Sequence, residues 1–304
     1  MSVGLLFSTS ASEHLVAPIL SQTSLRPAQY RLGSFVDGEI MFYLDEPVKN
    51  QICFVLGHTS APAENLLRLL TIVNTLKING AKKIIPIIPY FGYSRSDKPK
   101  ALQPINARLF AGFLKHAGAS RIITLDLHSD LDVSFFTIPN LHLTAIHQMA
   151  DYYRSLDLPD IAIASPDRGG VARAREFAKV FGEKQIITIT KSRPSDTTAE
   201  IRSVSGEVRG KNVILVDDMI ETGHTLVEAA KALKKMGARR LFAAVTHCVY
   251  PAKGINLLTN TSLFNQILIT NSLSNYSKQI PSITILDIAP LISKAITAIL
   301  SSSH

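Results

Sequence analysis

The chain has 304 residues, enough for roughly two domains or one large α/β unit and for a sizeable buried core. Apolar residues make up 46% and charged residues 18%, a balance that excludes an intrinsically disordered chain and a charge-rich coiled coil. Lys and Arg number 32 against 24 Asp and Glu, and the net charge of +8 suits an anionic ligand without separating a small anion from nucleic acid or a membrane surface.

In chain order the first chemical signal is a tight acidic turn, Phe35-Val36-Asp37-Gly38-Glu39. Runs rich in Ile, Val and Leu follow at Ile52–Leu56, Ile84–Ile88, Ile122–Leu125, Ile161–Ala164 and Val213–Val216. Their continuous apolarity predicts strands buried on both faces of a parallel sheet. Amphipathic stretches between them predict helices at Glu64–Ile78, Ile105–His116, Val171–Val180 and Leu226–Met236. This alternation predicts a doubly wound α/β fold. The last amphipathic segment, Ile288–Leu300, fits either half of the chain. Cys53 and Cys248 lie in apolar runs without C-x-x-C spacing and read as small core residues. No basic region precedes an apolar stretch at the N-terminus, and no apolar run reaches the ~18 residues of a membrane span, so a cytoplasmic protein is expected.

An internal echo refines the domain count. Leu76-Lys-Ile-Asn-Gly80-Ala-Lys-Lys-Ile84 returns in kind as Leu233-Lys-Lys-Met-Gly237-Ala-Arg-Arg-Leu241, with a weaker third copy at Gly118-Ala-Ser-Arg-Ile122. Each reads as a helix end, a glycine stop and a basic lead into a strand, a connection also common in unrelated α/β folds. With the strand pattern, it predicts two α/β halves meeting near residue 147.

The most informative stretch is Val213-Ile-Leu-Val-Asp217-Asp218-Met-Ile-Glu221-Thr222-Gly223-His224-Thr225. A buried strand is expected to end in two adjacent carboxylates, followed by a Thr-Gly-x-Thr turn that opens a helix. Free N–H groups at a helix N-terminus, with hydroxyls and a glycine, suit a phosphate, and the carboxylates suit the vicinal hydroxyls of a sugar. A second turn of this kind, Ser165-Pro-Asp167-Arg-Gly169-Gly170-Val-Ala-Arg173, places Asp167 at a strand end. Thr124-Leu-Asp-Leu-His128 puts an imidazole just beyond another strand. Lys191-Ser192-Arg193 follows the apolar run Ile186–Ile189 and leads into the polar stretch Pro194–Gly206, expected as a mobile loop. Pro89-Tyr-Phe-Gly-Tyr-Ser-Arg95-Ser96-Asp97-Lys98 mixes aromatic and basic groups. Taken singly, each of these four also reads as solvated surface or ordinary packing.

The Asp217–Thr225 segment resembles the phosphoribosyl-diphosphate (PRPP) binding motif shared by phosphoribosyltransferases and PRPP synthetases. Together and in this order, the segments from about Leu32 to the end resemble the ribose-phosphate pyrophosphokinase family. The resemblance implies two related phosphoribosyltransferase-type α/β domains, each a mainly parallel sheet flanked by helices. These would be residues 1–146, with the helix at 288–304 packing back on them, and residues 147–287, which carry the PRPP loop. It implies transfer of the β,γ-diphosphoryl group of ATP to the anomeric hydroxyl of ribose 5-phosphate, giving PRPP and AMP. It assigns Phe35, Asp37, Gly38, Glu39, Arg95, Ser96 and Asp97 to ATP, with Asp37 and Glu39 on the adenine, often from a neighbouring subunit. His128 and Asp167 match metal positions for Mg²⁺, and Lys191 and Arg193 match the catalytic pair, with Arg193 also on ribose 5-phosphate. Asp217 and Asp218 match the ribose hydroxyl ligands, and Glu221, Thr222, Gly223, His224 and Thr225 the 5-phosphate loop. A homo-oligomer built on dimers and reaching a hexamer is implied, with no nucleic-acid or membrane partner.

Three departures from the family pattern stand out. Ser96 occupies a position where the family often has Gln. The segment after His128 keeps only the aromatic pair Phe135-Phe136, and the phosphate loop moves its glycine and inserts His224. They weaken any carry-over of phosphate activation and ADP inhibition. Two rivals share parts of the pattern: a phosphoribosyltransferase, which needs one such domain, and a non-catalytic subunit that assembles with an active synthetase. The presence of an additional half, residues 1–146, carrying the nucleotide-like segments opposes the first, and retention of His128, Asp167, Lys191 and Arg193 opposes the second.

Overall fold

The computed structural model describes residues 4–99, 102–192, 200–274 and 280–302. Contacts divide the chain into two units, Met1–Leu143 with Ile288–His304, and Thr144–Asp287. The apolar runs become strands because only a parallel sheet covered on both faces buries every residue of such a run.

In the first unit, β1 (Leu5–Ser8) leads through a 3₁₀ segment (Ser10–Leu15) into α1 (Val16–Leu20) and the short β2 (Arg26–Pro27). The hairpin β3 (Tyr30–Ser34) and β4 (Ile40–Leu44) pairs only with itself among the described residues. Then come β5 (Ile52–Leu56), α2 (Glu64–Ile78), β6 (Lys83–Ile88), α3 (Asn106–Ala117), β7 (Ile122–Leu125), α4 (Asp130–Phe135) and β8 (Asn140–Leu143). The sheet runs β2-β1-β5-β6-β7-β8 with every pairing parallel. All of β5 is buried, and α2 turns Leu66, Leu69, Ile72, Val73 and Leu76 inward at helical spacing.

The second unit holds α5 (Ile146–Ser155), β9 (Ile161–Ser165), α6 (Val171–Phe181), β10 (Ile186–Ser192), β11 (Glu200–Ser205), β12 (Asn212–Ile220), α7 (His224–Lys235), β13 (Arg240–Cys248), α8 (Pro251–Asn260), β14 (Gln266–Thr270) and β15 (Ile283–Leu286). Its sheet runs β11-β10-β9-β12-β13-β14-β15, and only the β10/β11 pair is antiparallel. The last helix, α9 (Ala289–Ser301), packs on α1 and β8 of the first unit. No helix of the described residues is long and apolar enough to cross a membrane.

Both sheets repeat one strand order, with β1, β5, β6, β7, β8 of the first matching β9, β12, β13, β14, β15 of the second. The sequence echo falls on the same connection in each, α2 to β6 and α7 to β13. Gly80 and Gly237 take left-handed φ of +76° and +90°, and Ala81 N–H and Ala238 N–H donate back to Leu76 O and Leu233 O at 3.1 and 3.0 Å. The carbonyls of the two glycines accept from Asn50 N–H at 2.9 Å and Gly210 N–H at 2.8 Å.

Two expected boundaries move. The polar stretch after Lys191 is not a loop as far as Gly206, because Glu200–Ser205 pairs with β10 as β11. The strand expected over Val213–Val216 continues to Ile220, since Met219 and Ile220 stay in register with His247 and Cys248 of β13. Asp217 and Asp218 therefore lie within β12, not at its end.

Candidate active site

The carboxyl end of the second sheet gathers Asp167, Asp217, Asp218 and Arg173. In β12, Asp218 is buried and Asp217 half-buried, and Asp218 N–H donates to Asp217 Oδ1 at 2.9 Å. Burial first, then the neighbouring Asp218 carboxylate and Asp167, hold the Asp217 carboxyl well above the usual carboxylate range, and Arg173 opposes them. Arg173 Nη1 lies 3.3 Å from Asp218 Oδ1.

Beyond β12 the chain turns through Glu221-Thr222-Gly223 into α7. Gly223 sits at the N-cap with φ +78°, and a Cβ there would come within 2.8 Å of Gly254 O in α8. The turn thus needs glycine for its left-handed backbone and for its contact with α8. α7 starts at His224, two residues before the expected Leu226, which places His224 and Thr225 in its first turn. Its N-cap is a glycine, which has no side chain to cap the first turn, and a helix N-terminus suits an anion. Glu221 and His224 are exposed, and Thr222 and Thr225 half-buried.

Asp167 follows β9, where its Oδ1 accepts Gly169 N–H at 2.8 Å and Gly170 N–H at 3.1 Å. That pins the start of α6. Ser165 Oγ donates to Asp167 O at 2.6 Å and closes the same turn. Lys191 belongs to β10 by its backbone; its side chain and the whole of Arg193 lie outside the described residues.

The remaining candidates stand in the first unit. Arg95 is exposed. Ser96 Oγ donates to Pro104 O at 2.6 Å and accepts from Asn106 N–H at 3.3 Å, bracing the lead into α3. Asp97 is buried and accepts from Ser129 Oγ at 2.7 Å. Ser129 also caps α4 in a capping box with Asp132, so the altered segment after His128 is tied to the Arg95–Asp97 loop. His128 is half-buried just past β7. Phe35–Glu39 forms the tip of the β3/β4 hairpin. There Phe35 N–H donates to Glu39 O at 2.8 Å, Gly38 N–H to Phe35 O at 2.9 Å and Glu39 N–H to Asp37 Oδ1 at 3.0 Å, and Phe35 and Val36 are exposed.

Sequence reading gave no role to Arg173 or Gly254. The signal for the first is an arginine three residues after Gly170, on the first turn of the helix that Asp167 starts; the second has no local signal.

Comparison with known proteins decides the lineage. The family described as the N-terminal domain of ribose phosphate pyrophosphokinase matches residues 5–118, and the phosphoribosyl transferase domain matches residues 134–258. The chain belongs to the ribose-phosphate pyrophosphokinase family. The ribose-phosphate pyrophosphokinase of Bacillus caldolyticus is 38% identical over 97% of this chain and 94% of its own. That of Thermosipho africanus is 38% identical over 97% and 93%. The crystal structure of phosphoribosylpyrophosphate synthetase from Mycobacterium smegmatis superposes with a TM-score of 0.90 at 34% identity, covering 98% of this chain and 99% of that one. The two-unit α/β fold is that of this family, and its members are enzymes.

Proposed function

We propose that this enzyme transfers the β,γ-diphosphoryl group of ATP to the anomeric hydroxyl of ribose 5-phosphate, giving PRPP and AMP. The observation that carries the reading is the order of features along β12 and the turn after it, where two carboxylates within the strand, suited to a sugar diol, precede a glycine turn into a helix N-terminus suited to its phosphate. Asp217 and Asp218 accept from the ribose hydroxyls, and the turn Glu221–Thr225 holds the 5-phosphate through first-turn N–H groups and the Thr hydroxyls.

The halves 147–287 and 1–146 with 288–304 divide the work, sugar phosphate to the first and nucleotide to the second. Arg95 contacts the ATP phosphates, while the hairpin residues Phe35, Asp37, Gly38 and Glu39 meet the adenine. Ser96 and Asp97 act at one remove, since their side chains brace α3 and α4. The anomeric oxygen forms a bond to the β-phosphorus. The bond from that phosphorus to the oxygen bridging it to the α-phosphorus breaks, AMP leaves with the bonding pair, and the hydroxyl proton passes to solvent. Lys191 and Arg193 stabilise charge on the transferred group, the dominant contribution in such reactions.

Mg²⁺ fits the donors present. The Asp167 carboxylate, oriented by two backbone N–H groups, is the kind of oxygen ligand a hard cation takes; His128, in the first unit, is the other residue that the family resemblance assigns to the metal. Among the described residues no group of three or more His, Cys, Asp and Glu could hold a metal, so phosphate oxygens and water would fill most of its coordination. It would neutralise polyphosphate charge. We place the enzyme in the cytoplasm as a homo-oligomer built on dimers and reaching a hexamer.

Purified protein with Mg²⁺, ATP and ribose 5-phosphate should release AMP and PRPP in equal amounts. Absence of AMP formation across a range of phosphate concentrations refutes the synthetase reading.

A further inference from the structure

Arg173 reaches the sugar-phosphate end of the second unit from a different element than the residues assigned above. It stands on the first turn of α6, three residues after Gly170. Asp167 anchors that turn through Gly169 and Gly170 N–H, and a Cβ at Gly170 would come within 2.9 Å of Ser165 Oγ. α6 packs against β9 and β12, and across that packing Arg173 meets Asp218, with only 14% and 5% of the two side chains exposed. An ion pair this deep differs from an exposed one, whose contribution is small and screened. Removing one partner leaves a charge buried without compensation.

The surroundings sharpen this. The charges of Asp218 and Asp167 both bear on Asp217, and Arg173 opposes them. A guanidinium suits the task better than an ammonium, because its planar fork fixes the orientation of the carboxylate it meets.

We propose that Arg173 is a positioning residue for ribose 5-phosphate: its guanidinium holds the Asp218 carboxylate in the one orientation from which it accepts hydrogen bonds from the sugar hydroxyls. The inference rests on the assignment of Asp218 to the ribose diol. It gives the enzyme a sugar-binding determinant that touches no substrate.

The test uses the full-length enzyme, with calorimetric titration of ribose 5-phosphate in the absence of ATP and KM measured for each substrate. Arg173→Met should weaken ribose 5-phosphate binding on the order of 10- to 100-fold, the range for truncating one member of a buried charge pair. The KM for ATP should stay within about twofold. Arg173→Lys should fall between, because it restores charge without the fork. The double variant Arg173→Met, Asp218→Asn should bind no worse than Asp218→Asn alone, since a residue that acts through Asp218 has nothing left to position. If Arg173→Met does not fold, Arg173→Lys and the double variant, which leaves no unpaired buried carboxylate, carry the same comparison. Normal binding by the Arg173 variants while Asp218→Asn binds weakly, or additive losses in the double variant, overturns the proposal. Unchanged binding by Asp218→Asn overturns the diol assignment beneath it, a separate outcome.

Discussion

The loop after β5 and the loop after β12 occupy the same place in two sheets of one strand order, yet they resolve their polar groups in opposite ways. After β5, residues 57–60 are buried and hydrogen-bond to one another and to neighbouring turns. His58 N–H donates to Ser12 Oγ at 3.1 Å, the Ser60 hydroxyl lies 2.9 Å from His58 Nδ1, and Gly92 N–H donates to Thr59 Oγ1 at 2.8 Å. Around the end of β12 the chain keeps Asp217 and Asp218 within the strand and an exposed Glu221 and His224 beyond it. Burial disfavours charge in both places, pushing the His58 imidazole down to about 4 and the Asp217 carboxyl up. At Asp217 the Arg173 guanidinium opposes the effect, whereas at His58 a backbone hydrogen bond with Ala11 opposes it and His14 adds to it. A loop at the carboxyl end of an open α/β sheet therefore permits a ligand without requiring one, and the charge retained around β12 marks the place proposed for the sugar phosphate.

The largest effect that would sharpen this contrast belongs to the second unit. Lys191→Ala should lower kcat by roughly 10²- to 10³-fold, the cost of one well-placed electrostatic donor, with ribose 5-phosphate affinity changed far less in calorimetry. An unchanged rate refutes its role. The next falls on the first unit and concerns stability. The folded-state value of His58 lies near 4 against an ordinary ~6.5, so the unfolded chain takes up the proton more readily. The neutral form is fully favoured above pH ~6.5, and the stability it contributes is lost as pH falls toward 4, by up to about 3 kcal/mol. His58→Gln should flatten that acid limb in urea unfolding curves at pH 7 and 4.5; an equally steep fall assigns it to other groups.

A matched pair of glycine substitutions comes third. A Cβ at Gly57 would sit 2.9 Å from the Thr9 side chain, and one at Gly223 would add a strained φ to its clash with Gly254 O. Gly57→Ala should cost about 1–3 kcal/mol of stability and leave ribose 5-phosphate affinity alone. Gly223→Ala should reduce that affinity about 10-fold, on a backbone cost of roughly 1–2 kcal/mol. The reverse pattern would break the contrast between the loops. The smallest effect belongs to His224→Gly: the imidazole is exposed, so ribose 5-phosphate affinity in calorimetry should change by no more than about twofold. A larger loss assigns the imidazole a direct contact with the phosphate.

Much of this was legible in the sequence because buried parallel strands and Gly-stopped helices write their signals locally. Glu64–Ile78 and Ile122–Leu125 were read with the bounds they have. β12 outruns its apolar signal, since pairing with β13 carries the strand across two carboxylates that composition reads as an ending. β11 is hidden by the polar makeup of Glu200–Ser205, and its partner β10 supplies what propensity does not. Arg173 and Asp218 are 45 residues apart, and only the packing of α6 over β12 makes them a pair. Gly254 is silent for the same reason: it matters through a loop some thirty residues earlier.

That last contact ties two distant stretches of chain into one tolerance. A Cβ at Gly254 would come within 2.7 Å of Glu221 O and 2.6 Å of Ile220 Cγ2, as one at Gly223 would strike Gly254 O. Neither position can enlarge unless α8 retreats. For an engineer, the buried side of α8 becomes a remote dial on the phosphate affinity proposed for this loop, turned by residue size at a position that meets no ligand itself.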